Sequence, residues 1–499
     1  MGCRPEMDRR YALCLLTLFL LALIPAVTWF DQGDFIVTVD YVPRLHMLSW
    51  IDRYFLNIWS GFPRPMSYND PAAIFPHGVF WASFEVFGVS PLLAQRLWFV
   101  FGMLMAGLAM FYLASFFMPG EQQIIGRIVA AIFYMFNMYS MVTYLADSYF
   151  VAYAVVPLLL GILLRGLRRK ENGSALLFGL ASILLMGAAI NFTIYLSSWL
   201  LVLVFLIYQM ICVDKSRPAR MRSVGYFAKI LTVSAAINLF WMVSLYYGLF
   251  SGPTKIQPQI SVDYAEWDSQ FSSVLNVLRL GSNAYIFFHT EAYPYSVYYV
   301  SSLVVILATL MIPAFALSAV VLRPEDRSTI ALSLVYAAFI FLAKGMHEPL
   351  AFVNKLLYLY LPGFVVFRSP WKNFEFFFIP CMAILMGTAL NACWVAVERI
   401  KLVRRIRLTL GIITFSLPSI KEILRSGLVL VLVAMIFVSS FPLITGDYVM
   451  RERGRMPGFR VKIPEYWFEV GDWFDQQEEQ FRILVLPQNT PLSIYRWGT

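Results

Sequence analysis

Apolar runs of about 20 residues, the length a helix needs to cross about 30 Å of hydrocarbon, recur along this 499-residue chain. No other feature constrains the fold as strongly. Lipid offers the backbone no water, so each spanning segment must satisfy its own N–H and C=O groups. The runs are therefore helices, and the chain reads as an all-α polytopic membrane protein. Composition agrees: 60% of residues are hydrophobic and 14% charged, with a mean hydropathy of +0.68, where a soluble domain carries about 25% charged residues.

Length and apolarity predict eleven spans, over 12–30, 97–117, 127–145, 150–164, 174–191, 195–213, 228–250, 296–321, 328–343, 374–394 and 427–444. The first run is longer than a signal-peptide core and lacks a clear small-x-small cleavage site, so it is read as an uncleaved helix. The net charge of +9 lies mostly in short connections. That is an orientation signal rather than a nucleic-acid surface. With the N-terminus on the cytoplasmic side, inner segments carry 22 Lys and Arg in 83 residues, and the large outer loops 10 in 140. The expected protein is a multi-pass cell-membrane protein with an extracytoplasmic C-terminal tail. Reading 71–92 as a further span would invert every later segment, so it is expected to be interfacial or re-entrant. The stretch before it places Leu48, Ile51, Phe55 and Ile58 at helical spacing, as a helix in the headgroup layer requires.

Residues 1–445 are expected to form the membrane domain and 446–499 the start of an extracytoplasmic soluble domain of α/β type, with a helix in "EYWFEVGDWFDQQEEQ" and a strand in "FRILVLP". About 50 residues make a thin core, so the tail either packs on the membrane domain or belongs to a longer protein. Cys3, Cys14, Cys212, Cys381 and Cys393 avoid the large outer loops, which suggests neither a disulfide framework nor a metal cluster.

Soluble catalytic motifs are absent, leaving ionisable groups at the outer face. Asp31, Asp34 and Asp40 follow the first span at once, and Asp147 lies in the short outer turn "YLADSYF". Asp34, Asp40 and Asp147 are candidate general bases, against readings as a helix-end marker or a solvated turn. Arg368 and Lys372 in "FRSPWKNFEFF", with Arg44, Arg64 and Arg96, stand where a lipid-linked phosphate would lie. Snorkelling to headgroups is the plainer reading of Arg96 and Arg53. In the loop from Ser251, Tyr264, Trp267 and Tyr285 offer sugar-stacking surfaces and Asp263 and Asp268 hydroxyl partners, though an interfacial aromatic belt has the same composition. The sequon at Asn191 sits too near the membrane to read as a glycosylation site.

The order of outer-face acid, amphipathic segment, "IFPHGVFW" and "AQRLWFVFGMLMAGLAMFYL", followed by "FRSPWKNFEFF" and "FRILVLPQNTPLSIYRWG", resembles the N-terminal membrane module of the large arabinofuranosyltransferases of the mycobacterial cell wall. Those are GT-C glycosyltransferases dependent on polyprenyl-phosphate sugars. The resemblance implies a GT-C-like bundle of about eleven helices, a polyprenyl-phosphate sugar donor, and a glycan, glycolipid or protein acceptor in cell-envelope assembly. The family's acid falls on Asp34, nine positions before Pro43, and its later lysine on Lys372, displaced by one residue. Arg368 and Lys372, with Arg44 and Arg96, would take the donor phosphate, and His77, Asp263 and Trp267 would contact substrate. Phe35 and Ile36 replace the Thr-Lys that follows the family's acid, so arabinose does not carry over as the donor sugar. Lipid phosphate is a fair leaving group, so no cofactor is called for and a divalent metal stays open. The competing readings are a transporter or flippase of lipid-linked saccharide, and a catalytically degenerate scaffold.

Overall fold

The computed structural model describes residues 5–31, 33–38, 46–51, 74–169, 171, 173–251, 258–283, 293–399, 407–410, 413–416, 419–449 and 458–477. In chain order the elements that place the site are α1 (Pro5–Ala22), α2 (Ile24–Thr28), β1 (Phe35–Ile36), α3 (Met47–Ile51), α4 (Val79–Val86), α5 (Pro91–Ala114), α6 (Ile124–Met135), α7 (Met138–Thr143), α8 (Asp147–Arg169), α9 (Gly173–Ser182), α10 (Phe192–Tyr208) and α11 (Arg217–Ser251). There follow α12 (Pro258–Asp268), α13 (Leu303–Leu322), α14 (Arg327–Ala343), α15 (Ala351–Tyr360), α16 (Pro370–Arg399), the strands β2 (Arg407–Leu410) and β3 (Ile413–Ser416), α17 (Ile420–Ser439), β4 (Arg460–Val461) and α18 (Glu465–Asp475).

Among the described residues nine helices are long and apolar enough to cross a membrane, and α14 is a shorter apolar helix. The expected span over 127–145 is broken instead. Asn137 leaves the helix with extended φ and ψ of −151° and 169°, its Oδ1 accepts from the Ser140 N–H at 2.9 Å, and Ser140 Oγ accepts from the Asn137 N–H at 3.1 Å. This reciprocal cap ends α6 and starts α7 as a separate short helix. The expected span over 174–191 likewise changes pitch, with α9 giving way to a 3-10 segment, Ile183–Ile190.

The central helix is α16, almost wholly buried and packed by α6, α13 and α14. It crosses α6 at Gly126 and Gly387, where a Cβ on either glycine would run into the carbonyl oxygen of the other. Small residues of this kind let two membrane helices approach along their backbones.

The segment expected to be interfacial or re-entrant enters as a kinked turn, Ile74–Gly78, followed by the eight-residue α4. At about 1.5 Å per residue such a helix is too short to cross a bilayer. Of the expected headgroup helix before it, only α3 lies among the described residues, with Phe55 and Ile58 outside them. In the tail, α18 matches the expected helix, while "FRILVLP" lies outside the described residues. Phe35 pairs with Val461 and Ile36 with Arg460 in an antiparallel bridge, and the Val37 N–H donates to the Phe459 carbonyl at 2.8 Å. The described start of the tail therefore packs on the segment following the first span. The basic connection after α16 contains a hairpin, β2 against β3 with Arg407 opposite Ser416, which hydropathy did not announce.

Candidate active site

The break at Asn137 shapes a cavity at one end of the bundle. Because the chain turns there, Met141, Leu145 and Ala146 form a wall beside Tyr149 in the first turns of α8. The start of α10 adds Asn191 and Thr193, the end of α12 adds Tyr264 and Asp268, and the approach to α16 adds Arg368, Lys372 and Asn373. Thr38, Tyr448 and Phe459 close the rim of a space of about 540 Å³, ample for a sugar and a phosphate by the size of ordinary ligand sites.

Hydrogen bonds between distant segments hold the walls. Tyr139 O–H donates to the Lys372 carbonyl at 2.6 Å, Tyr149 O–H to Asn373 Oδ1 at 3.2 Å, Thr193 Oγ1 to the Val366 carbonyl at 3.1 Å, and Thr38 Oγ1 to the Leu145 carbonyl at 2.8 Å. The two cations are backed by aromatic faces: Lys372 Nζ lies 4.1 Å from the Tyr149 ring centroid and Arg368 Cζ 5.3 Å from that of Tyr264. A ring face attracts a cation without neutralising it, and Lys372 also acts on the Asp268 carboxyl. Pro370 at the first turn of α16 suits a helix start and fixes the spacing between them.

Asp268 shares this space. It is 1% exposed, and its Oδ2 has no hydrogen-bond partner among the described residues. Burial pushes its carboxyl up to about 6, with Trp371, Lys372 and Ser369 pulling the other way. A carboxyl of that kind changes charge near neutrality, the range in which a general base works best. Near the start of α16, Glu375 is fully buried, its carboxylate oxygens without hydrogen-bond partners among the described residues.

Of the residues singled out from the sequence, Arg368, Lys372, Tyr264 and Asp268 line the cavity, as does Asn191. Asp34 is half-buried and outside the lining, four residues before Thr38. Burial foremost, then the Asp31 charge, raises its carboxyl, against Arg460 and Lys462. Asp147 is buried rather than solvated, and its Oδ2 accepts from His77 Nδ1 at 3.1 Å. The His77 ring stacks on Trp98 at 4.8 Å and meets Trp81 edge-on at 5.4 Å. His77 and Asp147 thus form a buried pair outside the cavity lining. Arg96 is also outside it: Nη2 donates to the Asp31 carbonyl at 3.4 Å and the guanidinium lies over Phe30 at 5.1 Å. Asp263 is exposed and the Trp267 ring lies 5.6 Å from that of Tyr264, tilted by 53°, both residues beyond the lining. Asp40, Arg44, Arg53, Arg64 and Tyr285 lie outside the described residues. Among the described residues no group of three His, Cys, Asp or Glu gathers that could hold a metal. The cavity-lining Tyr149, Asn283, Tyr293 and Asn373 were not singled out from the sequence. Each nevertheless lies in a stretch already marked: Tyr149 in "YLADSYF", Asn373 in "FRSPWKNFEFF", and Asn283 and Tyr293 in the loop from Ser251.

Residues 72–499 match the family described as "Alpha-(1->3)-arabinofuranosyltransferase, N-terminal GT-C domain". The chain also superposes on cryo-EM structures of arabinofuranosyltransferase AftD from Mycobacteria. One is matched at 19% identity and a TM-score of 0.59 over 94% of this chain and 28% of that one. A point-mutant form is matched at 19% identity and a TM-score of 0.61 over 98% of this chain and 31% of that one. At this identity the likeness is one of fold, and the chain spans less than a third of the length of these structures. No curated protein matches the sequence.

Proposed function

The chain belongs to the family of alpha-(1->3)-arabinofuranosyltransferase N-terminal GT-C domains, and from that premise we propose that it is a membrane glycosyltransferase taking a sugar from a polyprenyl-phosphate donor to a glycan, lipid or protein acceptor, with inversion. The observation that carries this reading is one cavity holding two aromatic-backed cations, Arg368 and Lys372, with a buried carboxyl, Asp268, poised near neutrality. In the step, the acceptor oxygen forms a bond to the anomeric carbon as the bond from that carbon to the phosphate oxygen breaks. The acceptor proton passes to a carboxylate, and the electron pair leaves with polyprenyl phosphate, whose charge Lys372 and Arg368 stabilise.

Two carboxylates compete for the proton. The family resemblance favours Asp34, and the cavity lining favours Asp268. Sugar transfer from a labelled polyprenyl-phosphate donor by Asp34→Asn and Asp268→Asn proteins separates them, since only the base should cost about 10²-fold or more in kcat. Full turnover in both variants would remove the general-base role from these two carboxylates. Transfer of intact lipid across vesicles without sugar release would point instead to a flippase. On the positive-inside bias the cavity faces outward, in an envelope-facing membrane protein.

A further inference from the structure

A second cavity lies at the other end of the bundle. The helix α8 begins at Asp147 beside the first cavity and ends at Arg169, a length of 23 residues and a rise of about 35 Å. That is about the thickness of a bilayer's hydrocarbon core, so its far end stands at the opposite membrane face. There Tyr11, Leu15, Leu108, Phe111, Arg127, Arg168 and Arg169, with their neighbours, enclose a space of about 650 Å³.

The charge balance of this space is unusual. Arg127 is 4% exposed and donates to the carbonyls of Met118 at 2.6 Å and Gly120 at 3.0 Å and to Tyr11 Oη at 2.7 Å. Half-buried Arg168 donates to the Phe116 carbonyl at 2.5 Å and, through Nε, toward Gln209 Oε1 at 3.4 Å, with its guanidinium over the rings of Phe116 and Phe117. These neutral partners satisfy hydrogen bonds and leave the charge in place. Glu171 pairs with Arg165 at 2.8 Å and stands 4.0 Å from Arg169. Among the described side chains neither Arg127 nor Arg168 has a carboxylate within ion-pair distance. Guanidinium charges in a low-dielectric wall call for a counter-charge, and the fork of Arg fits phosphate oxygens.

The space also borders lipid. Leu15 is 46% exposed on a face of α1 that presents Leu13, Leu16, Phe19 and Leu20 outward as well. We propose that this cavity binds the phosphate headgroup of an anionic membrane lipid, its acyl chain lying on Leu15, Leu108 and Phe111. Arg168 and Arg169 hold the phosphate, and Arg127 supplies the positive wall between α1 and α6. Basic pockets between spanning helices bind such headgroups in general. The site is distinct from the sugar-transfer cavity and stands whether or not that activity is found.

The test uses the full chain, purified and delipidated in detergent, titrated with phosphatidylglycerol and with phosphatidylcholine of the same acyl chains under native mass spectrometry. Phosphatidylglycerol should bind at least about tenfold more tightly, since both lipids carry the phosphate but only in phosphatidylcholine does a choline cation offset its charge beside the arginines. The R168Q/R169Q double variant should bring the two lipids within about twofold, and R165Q should leave the preference intact. Arg169 is largely exposed, so R169Q alone serves if the double variant fails to fold, with at least a severalfold loss expected. A rise in the unfolding temperature of the unaltered chain with phosphatidylglycerol but not phosphatidylcholine would support the site without any variant. Equal binding of the two lipids, or an unchanged preference in the Arg168 and Arg169 variants, would overturn the proposal. So would inorganic phosphate stabilising the chain as strongly as the lipid, since that would assign the cavity to a soluble anion.

Discussion

Replacing Asp268 by Asn should make the protein more stable at neutral pH and less active. The carboxyl is moved from an ordinary 3.8 to about 6, chiefly by burial. At 1.36 kcal/mol per unit of pKa, ionising it inside the fold costs about 3 kcal/mol. Between pH 4 and 6 the folded state keeps a proton that the unfolded chain has released, so stability falls as pH rises through this window and the loss is complete above about 6. Asn carries the shape and no charge, and the variant should escape that loss. The opposing pull of Lys372 is already contained in that shift, so the net gain at pH 7 is about 3 kcal/mol. The assay is the unfolding temperature of both proteins in the same detergent from pH 4 to 8, taken as a difference at each pH so that groups common to both cancel. The difference should be near zero at pH 4 and favour Asn above 6. A variant less stable than the unaltered protein at pH 7, or a difference flat in pH, would refute the electrostatic account of this acid. Sugar transfer should fall in the opposite sense to stability, because the desolvation that destabilises the carboxylate is what would make it a proton acceptor near neutrality.

Other outcomes follow from the same walls. Lys372→Met should lower kcat by about 10²-fold or more if the ammonium stabilises the leaving phosphate, measured by single-turnover transfer from lipid donor, whereas Tyr149→Phe, which keeps the ring under it and removes only the hydroxyl hydrogen-bonded to Asn373, should cost no more than about tenfold. Asp147→Ala should lower the unfolding temperature by the cost of an orphaned buried partner, about 1 to 3 kcal/mol, and Asp147→Asn should recover much of it; loss of transfer in a fully stable Asn variant would return Asp147 to the chemistry. Asn137→Ala removes the cap between α6 and α7 and should cost about 1 to 2 kcal/mol, read as earlier thermal unfolding. Gly387→Leu forces a side chain against the backbone of α6 and should abolish a monodisperse gel-filtration peak, while Gly427→Leu, on the open side of α17, should not.

Hydropathy made the spanning helices legible because it counts what lipid counts, a sustained run of apolar side chains. It passed over Asn137, since a single polar residue hardly moves a 20-residue average, although Asn137 and Ser140 already carried the spacing of a reciprocal cap. That omission matters for function, because the break builds a cavity wall. The turn "FRSPWKNFEFF" was legible for a different reason: two cations flanking Pro and Trp at the mouth of an apolar run have few other uses. The burial of Asp147, a candidate base weighed against a solvated turn, was not legible because its partner, His77, is 70 positions away and pairing across that distance leaves no local pattern. Asp268, in a polar stretch, resembled any hydroxyl-binding surface acid until the packing of α12 against α15 and the Phe364–Phe367 turn buried it.

The first loop and the tail together set what Asp34 can do. Arg460 Nη1 donates to Asp31 Oδ2 at 2.6 Å, and its Nη2 reaches the Gly446 carbonyl at 3.2 Å, so Asp31 is tied into the junction between the first span and the tail. Asp34 has no such ion pair among the described residues, and the backbone just after it is fixed on both edges. Gln95 accepts from the Ile36 N–H at 3.0 Å and donates to its carbonyl at 2.7 Å, while β4 pairs on the other side. A strand held this firmly positions the acid before it and Thr38 after it, and Thr38 and Phe459 both reach the cavity rim. The two candidate bases therefore occupy different mechanical settings. Asp268 is set by the packing of helices, and Asp34 by a strand pair that joins residues more than 400 positions apart. Substitutions in β4 should consequently weaken a reaction that depends on Asp34 and leave one that depends on Asp268 largely intact.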